Sequence, residues 1–130
     1  MQRNKLISRA VYRCVQVVCL GLLATLSVTI FAEARVLKNQ EIESWLNGAR
    51  IEGNQNGAKW SQSFEASGTT IYVADGRPSQ GYWRVRDDKY CSQWPPSDHW
   101  ACYEIIVDGE KIIFLPDGGG EPWPAVRQPK

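Results

Sequence analysis

Residues 91–102, Cys-Ser-Gln-Trp-Pro-Pro-Ser-Asp-His-Trp-Ala-Cys, gather the side chains with the most chemical potential in this chain. The one histidine, His99, stands between Cys91 and Cys102, with Trp94, Trp100 and a Pro-Pro pair around it. A metal reading takes Cys91, His99 and Cys102 as thiolate and imidazole ligands with Asp98 as a fourth donor, a mixture zinc accepts. The spacing matches no finger or ribbon, and in an exported chain an isolated cysteine pair is most simply a disulfide. A disulfide also consumes the thiols a nucleophile needs, and no third residue is placed to orient His99 as a base. The expectation is a stapled loop with no metal, no cofactor and no catalytic residue.

Two carboxylate pairs invite a glycosidase reading. Asp87-Asp88 falls where a turn should join the strands around Arg86 and Tyr90. Glu41 and Glu43 fall on a first helical turn, where acidic side chains suit the helix dipole. Both pairs are read as solvated structural positions. Six tryptophans are many for 130 residues. Trp45, Trp60 and Trp83 fall inside predicted elements and read as core, whereas Trp94, Trp100 and Trp123 sit in loops or tail beside prolines. Indole rings there offer apolar area with a donor at the edge, so Trp94, Trp100 and His99 are the candidate binding residues.

The compartment follows from the first residues. Arg3, Lys5, Arg9 and Arg13 precede a mostly apolar run from Val15 to Phe31, and Ala32-Glu33-Ala34 supplies the small residues a signal peptidase reads. Residues 1–34 are read as a signal peptide cleaved before Arg35, the rival being an uncleaved anchor. Cys14 and Cys19 belong to that segment, which leaves Cys91 and Cys102 to pair. The expected location is periplasmic or secreted, with no membrane contact after cleavage. Beyond Ala34, eleven Lys and Arg against thirteen Asp and Glu leave a net charge of −2 with the signs mixed. No basic stripe points to nucleic acid.

Elements that would carry these residues are short. Leu37–Leu46 has helical spacing at Leu37, Ile42, Trp45 and Leu46, with Asn39 as the expected N-cap and Gly48 just past the end. Further on, β-forming runs alternate with turn residues: 50–53 and 58–65 flank Asn54-Gln55-Asn56-Gly57, then 69–74, then a longer loop opening at Asp75-Gly76-Arg77-Pro78. Gly81–Arg86 alternates Trp83 and Val85 against Arg84 and Arg86, as a sheet with one wet side does. Tyr103–Val107 and Lys111–Leu115 bracket Asp108-Gly109-Glu110, a tight-hairpin signal. The expected fold is mainly β: a small antiparallel meander, barrel-like, of five to six strands with one short N-terminal helix. The domain spans 35–117, and 118–130 is an irregular tail because its three glycines and flanking prolines interrupt a ladder.

Glu41-Ile42, Leu46-x-Gly48, Gly53, Phe64, Ser67-Gly68-Thr69, Gly81-x-Trp83-x-Val85, Tyr90-Cys91-x-x-Trp94 and the later Cys102 follow one another in a telling order. In that order the chain resembles a group of small exported proteobacterial proteins with a domain of unknown function. The resemblance spans about residues 37–115 and implies a lipocalin-like periplasmic β protein without an assigned activity.

The leading functional expectation is a non-enzymatic binding module that presents the disulfide-closed aromatic loop to an envelope protein or polysaccharide. A small-molecule carrier of lipocalin type is the alternative, weakened by tryptophans expected to fill the interior. A cell-envelope hydrolase is the third, and needs Asp98 or His99 to meet another titratable group in a cleft.

Overall fold

The computed structural model describes residues 33–130. The signal segment read over 1–34 lies outside the described residues except for its last two positions. Among the described residues no helix is long and apolar enough to cross a membrane.

The described chain runs β1 (Arg35–Val36), α1 (Asn39–Leu46), β2 (Arg50–Gln55), β3 (Ala58–Phe64), β4 (Thr69–Ala74), β5 (Arg77–Arg86), β6 (Lys89–Gln93), β7 (Trp100–Asp108), β8 (Lys111–Pro116) and β9 (Trp123–Arg127). Strands β2 to β9 form one antiparallel sheet in the order β7-β6-β5-β4-β3-β2-β9-β8, and β8 returns to β7 to close it. The result is an eight-stranded barrel. Strand β1 lies beside β7 at Ile106 and Val107, beyond the point where β6 stops.

The mainly-β fold and the one short helix among the described residues match expectation; the count of five to six strands does not. Two features account for the difference. Asp75-Gly76-Arg77-Pro78 opens no long loop: Asp75 and Gly76 both take positive φ, and Ala74 already pairs with Arg77. Asn56-Gly57 and Asp87-Asp88 turn in the same manner between Gln55–Ala58 and Arg86–Lys89. Two consecutive positive-φ residues give the primed turn whose twist suits the flanking strands. Pro78 is tolerated because the first half of β5 pairs with β4 alone, the β6 ladder beginning only at Tyr82.

The second correction concerns the tail. After Gly118–Gly120 the chain returns as β9, which pairs with both β2 and β8. Pro124 faces Ile113 on β8, while the β2 ladder starts one residue later at Ala125, so the missing N–H interrupts only one side. The tail is the closing strand.

One barrel end is shut by the helix. Ile42 and Leu46 are fully buried with Leu37, Ile51, Phe64 and Ile105, and each such side chain contributes roughly 1.5–3 kcal/mol. Asn39 is not the N-cap; Lys38 is, and Glu41 accepts the Lys38 backbone N–H at 3.1 Å. Asn39 instead accepts the Asp88 N–H at 3.0 Å, tying the helix to the β5–β6 turn. At the far side of α1, the Gly48 N–H donates to the Phe64 carbonyl at the β3–β4 end. Both anchors lie at the same end of the barrel. Trp45 is only half-buried, with the Arg127 guanidinium 4.7 Å above its ring.

Candidate functional site

The opposite end of the barrel holds a cavity of about 390 Å³. It collects the starts of β3, β5 and β7 with the ends of β4 and β6, because antiparallel register brings those termini to one rim. Seven aromatic residues line it: Trp60, Tyr72, Tyr90, Trp94, Tyr103, Phe114 and Trp123. Gln62, Ser79, Gln80, Ser92 and Pro95 complete the wall, and none of these lining residues carries a charge.

Inward placement follows from the period of two along each strand. On β3, Trp60, Gln62 and Phe64 are buried; on β5, Gly81 and Trp83 are buried while Tyr82 and Arg84 face out. Trp60 and Phe64 divide the interior. Phe64 meets Trp83 and Tyr90 edge-on toward the helix end, at 5.8 Å and near right angles. Trp60 lies toward the mouth, 5.7 Å from Tyr72 and 6.3 Å from Trp123.

The tryptophans do not fill the interior. Tyr72 and Trp94 meet at 72°, Trp60 and Trp123 at 66°, and Tyr103 and Phe114 at 88°. Rings joined edge to face make corners, and corners leave space between them. An eight-stranded barrel has room for a packed interior or one small ligand, and here the mouth half is the open one.

Polar groups at the floor are tied together. Gln62 donates its amide to Thr70 Oγ1 at 2.9 Å and to the Tyr90 hydroxyl at 3.0 Å, and Thr70 donates to the Ser63 carbonyl at 2.8 Å. With both amide hydrogens engaged, the Gln62 carbonyl oxygen remains the acceptor for anything above it. Burial pushes the Tyr90 phenol far above its ordinary value, and burial also raises Tyr103. Tyr72 is raised by burial first and by the Asp75 carboxylate second. The three phenols therefore stay protonated across the physiological range. Trp60 Nε1 is buried with no hydrogen-bond partner among the described residues.

The 91–102 segment divides between two faces. Cys91 and Cys102 sit opposite each other on β6 and β7 and are bonded, with Cα atoms 4.0 Å apart. Their sulfurs are thereby unavailable to a metal or as nucleophiles. Trp94 turns inward over the mouth, 6.0 Å from Tyr72, with Nε1 directed to Ser92 Oγ at 3.3 Å. Trp100 lies on the outer wall beneath Arg84, whose guanidinium stands 3.8 Å from the ring centre. His99 is exposed, and its backbone N–H donates to Ser97 Oγ at 3.2 Å. The loop therefore does not unite Trp94, His99 and Trp100 in one contact patch. Asp98 is exposed as well, and neither it nor His99 lines the cavity.

Sequence reading named one cavity residue, Trp94, as a binding residue and missed the others. In the sequence Trp123 reads as tail, and Tyr72, Tyr90 and Tyr103 read as strand residues like any other. Alternation along β3 and β6 carried the available signal, since Gln62 and Ser92 are polar residues at positions with inward parity. A second depression, about 710 Å³, runs along β2, β3 and β9 and mixes Arg50, Lys59 and Lys111 with Glu52 and Asp75. Arg50 and Glu52 pair there at 3.5 Å. No family model and no curated protein matches the chain.

Proposed function

We propose that the protein is a non-enzymatic binding module of the periplasm that holds a small organic molecule in the aromatic mouth of its barrel. One observation carries this reading: the barrel is shut by α1 at one end, and its other end opens into an uncharged cavity of about 390 Å³ walled by seven aromatic residues. Volume and lining fall within the range of small-molecule sites, which are concave, mainly apolar and furnished with a few fixed polar groups. Gln62, Tyr90 and Ser92 supply those groups at the floor. The lipocalin-like resemblance and the disulfide between β6 and β7 support the same reading and an extracytoplasmic location.

This choice moves the contact from the outer loop to the interior. Trp94 keeps the binding role expected of it, as a wall of the mouth, and an envelope macromolecule gives way to a small molecule.

A fluorescence titration with the neutral probe N-phenyl-1-naphthylamine tests it. Saturable one-to-one binding is expected, with loss of tryptophan emission as the probe enters. Ser79→Trp, at an exposed lining position on the rim, should abolish the signal without altering the unfolding midpoint. Native protein that shows no saturable binding would overturn the reading.

A further inference from the structure

Resting on the cavity as a ligand site, we propose that its occupant is a compact organic cation, a quaternary ammonium group borne on a small molecule. Geometry of the walls is the first argument. In each steeply inclined pair, Tyr72 with Trp94 at 72° and Trp60 with Trp123 at 66°, a guest seated in the corner would touch the faces of both rings. Those faces carry the negative side of the aromatic quadrupole, and a cation over them is attracted most strongly where water is excluded. A box of this shape suits a rounded trimethylammonium group better than a flat ring, which needs a parallel pair of walls.

Charge gives the second argument. Among the described residues no Lys, Arg or His lines the cavity to repel a cation or to pair with a carboxylate. An anion such as a fatty acid would be buried there unpaired, against ring faces of its own sign. The Asp75 carboxylate acts on the Tyr72 phenol, raising it beyond what burial does, so a negative charge stands within reach of this wall. A quaternary ammonium is also the cation least penalised on leaving water, because it has no N–H to strip of hydrogen bonds. Its polar end would meet the floor, where the Gln62 carbonyl oxygen stands as an acceptor beside the Ser92 hydroxyl that already receives Trp94 Nε1.

Calorimetric titration with choline and with 3,3-dimethylbutan-1-ol, its uncharged isostere of nearly the same shape, separates charge from fit. Choline should bind about tenfold more tightly or better, in proportion to a desolvated cation–π contribution. Tyr72→Leu should weaken choline at least about fivefold while leaving the isostere within about twofold, and Tyr72→Phe, which keeps the ring, should retain choline binding. Equal affinity for the two compounds, or no saturable choline binding, overturns the inference. If choline fails while N-phenyl-1-naphthylamine binds, the cavity stands as a ligand site and only the cation is wrong; if both fail, both readings fall.

Discussion

The six-membered ring of Trp94 lies directly on the backbone of Gly81. A Cβ at residue 81 would come within 2.6 Å of Trp94 Cε3 and 2.6 Å of the Gln93 carbonyl oxygen. Glycine is therefore required by the ring above it rather than by backbone conformation, since Gly81 is a paired strand residue. Gly53 and Trp60 repeat the arrangement across the barrel, at 2.3 Å from the indole. Two bare stretches of backbone seat two walls of the cavity.

Gly81→Ala should consequently push Trp94 off its seat. Overpacking of this kind costs about 1–3 kcal/mol, and the displaced ring should also alter tryptophan emission. Urea unfolding followed by fluorescence measures both. An unchanged midpoint and spectrum would show that the ring has another resting place.

Removal of residues 121–130 deletes β9 and leaves β2 and β8 without a partner between them. The barrel should open and lose cooperative unfolding, because two long unpaired edges replace a closed ladder. Thermal melts by circular dichroism decide the point; a flexible appendage would leave the transition intact.

Cys91→Ala with Cys102→Ala frees a loop of sequence separation 11. Loop-closure entropy predicts a loss of about 3 kcal/mol, the fold being kept because the β6–β7 ladder persists. The denaturant midpoint of the native protein should fall, on adding reductant, to that of the double variant, which reductant leaves unchanged; a native midpoint insensitive to reductant would contradict the estimate.

Gln62 joins Thr70 on β4 to Tyr90 on β6 through one amide. Gln62→Leu leaves the buried Tyr90 hydroxyl and Thr70 oxygen without that donor and should destabilise the fold by about 1–3 kcal/mol. Equilibrium unfolding checks the value, and a neutral result would mean that water replaces the amide.

Alkaline pH offers a test of the floor. The Tyr90 phenol is raised above its unfolded value of 10.0, chiefly by burial. A group that is neutral when protonated and has a raised folded pKa supports the fold below the unfolded pKa. That support disappears as pH rises above 10. Stability should hold from neutral pH to about pH 10 and then fall, with one phenol ionising only as the barrel opens. Absorbance of tyrosinate against circular dichroism reads both events. Stepwise ionisation of every phenol within a folded barrel would contradict it.

How much of this could be read from the chain alone differs by feature. The Asp108-Gly109 hairpin and the alternation of Trp83 and Val85 with Arg84 and Arg86 were legible, since both depend on neighbouring residues only. In the hairpin Gly109 alone takes positive φ, with Asp108 the last strand residue opposite Lys111. The short helix was legible from Ile42, Trp45 and Leu46. β9 was not, because Pro122, Pro124 and three glycines are local strand breakers, and only a β2 and β8 both lacking a neighbour explain why Trp123–Arg127 pairs.

Composition, spacing and alternation thus determined a mainly β chain, one short helix and a cysteine pair suited to a disulfide, all properties settled within a few residues. Closure of the barrel, the inward turn of Trp94 and the separation of Trp94 from Trp100 were decided by the tertiary structure. The physical reason is that each depends on which distant strands share a rim. Tyr72, Trp94, Tyr103 and Trp123 become one cavity only when antiparallel register brings the ends of β4 and β6 and the starts of β7 and β9 to the same end.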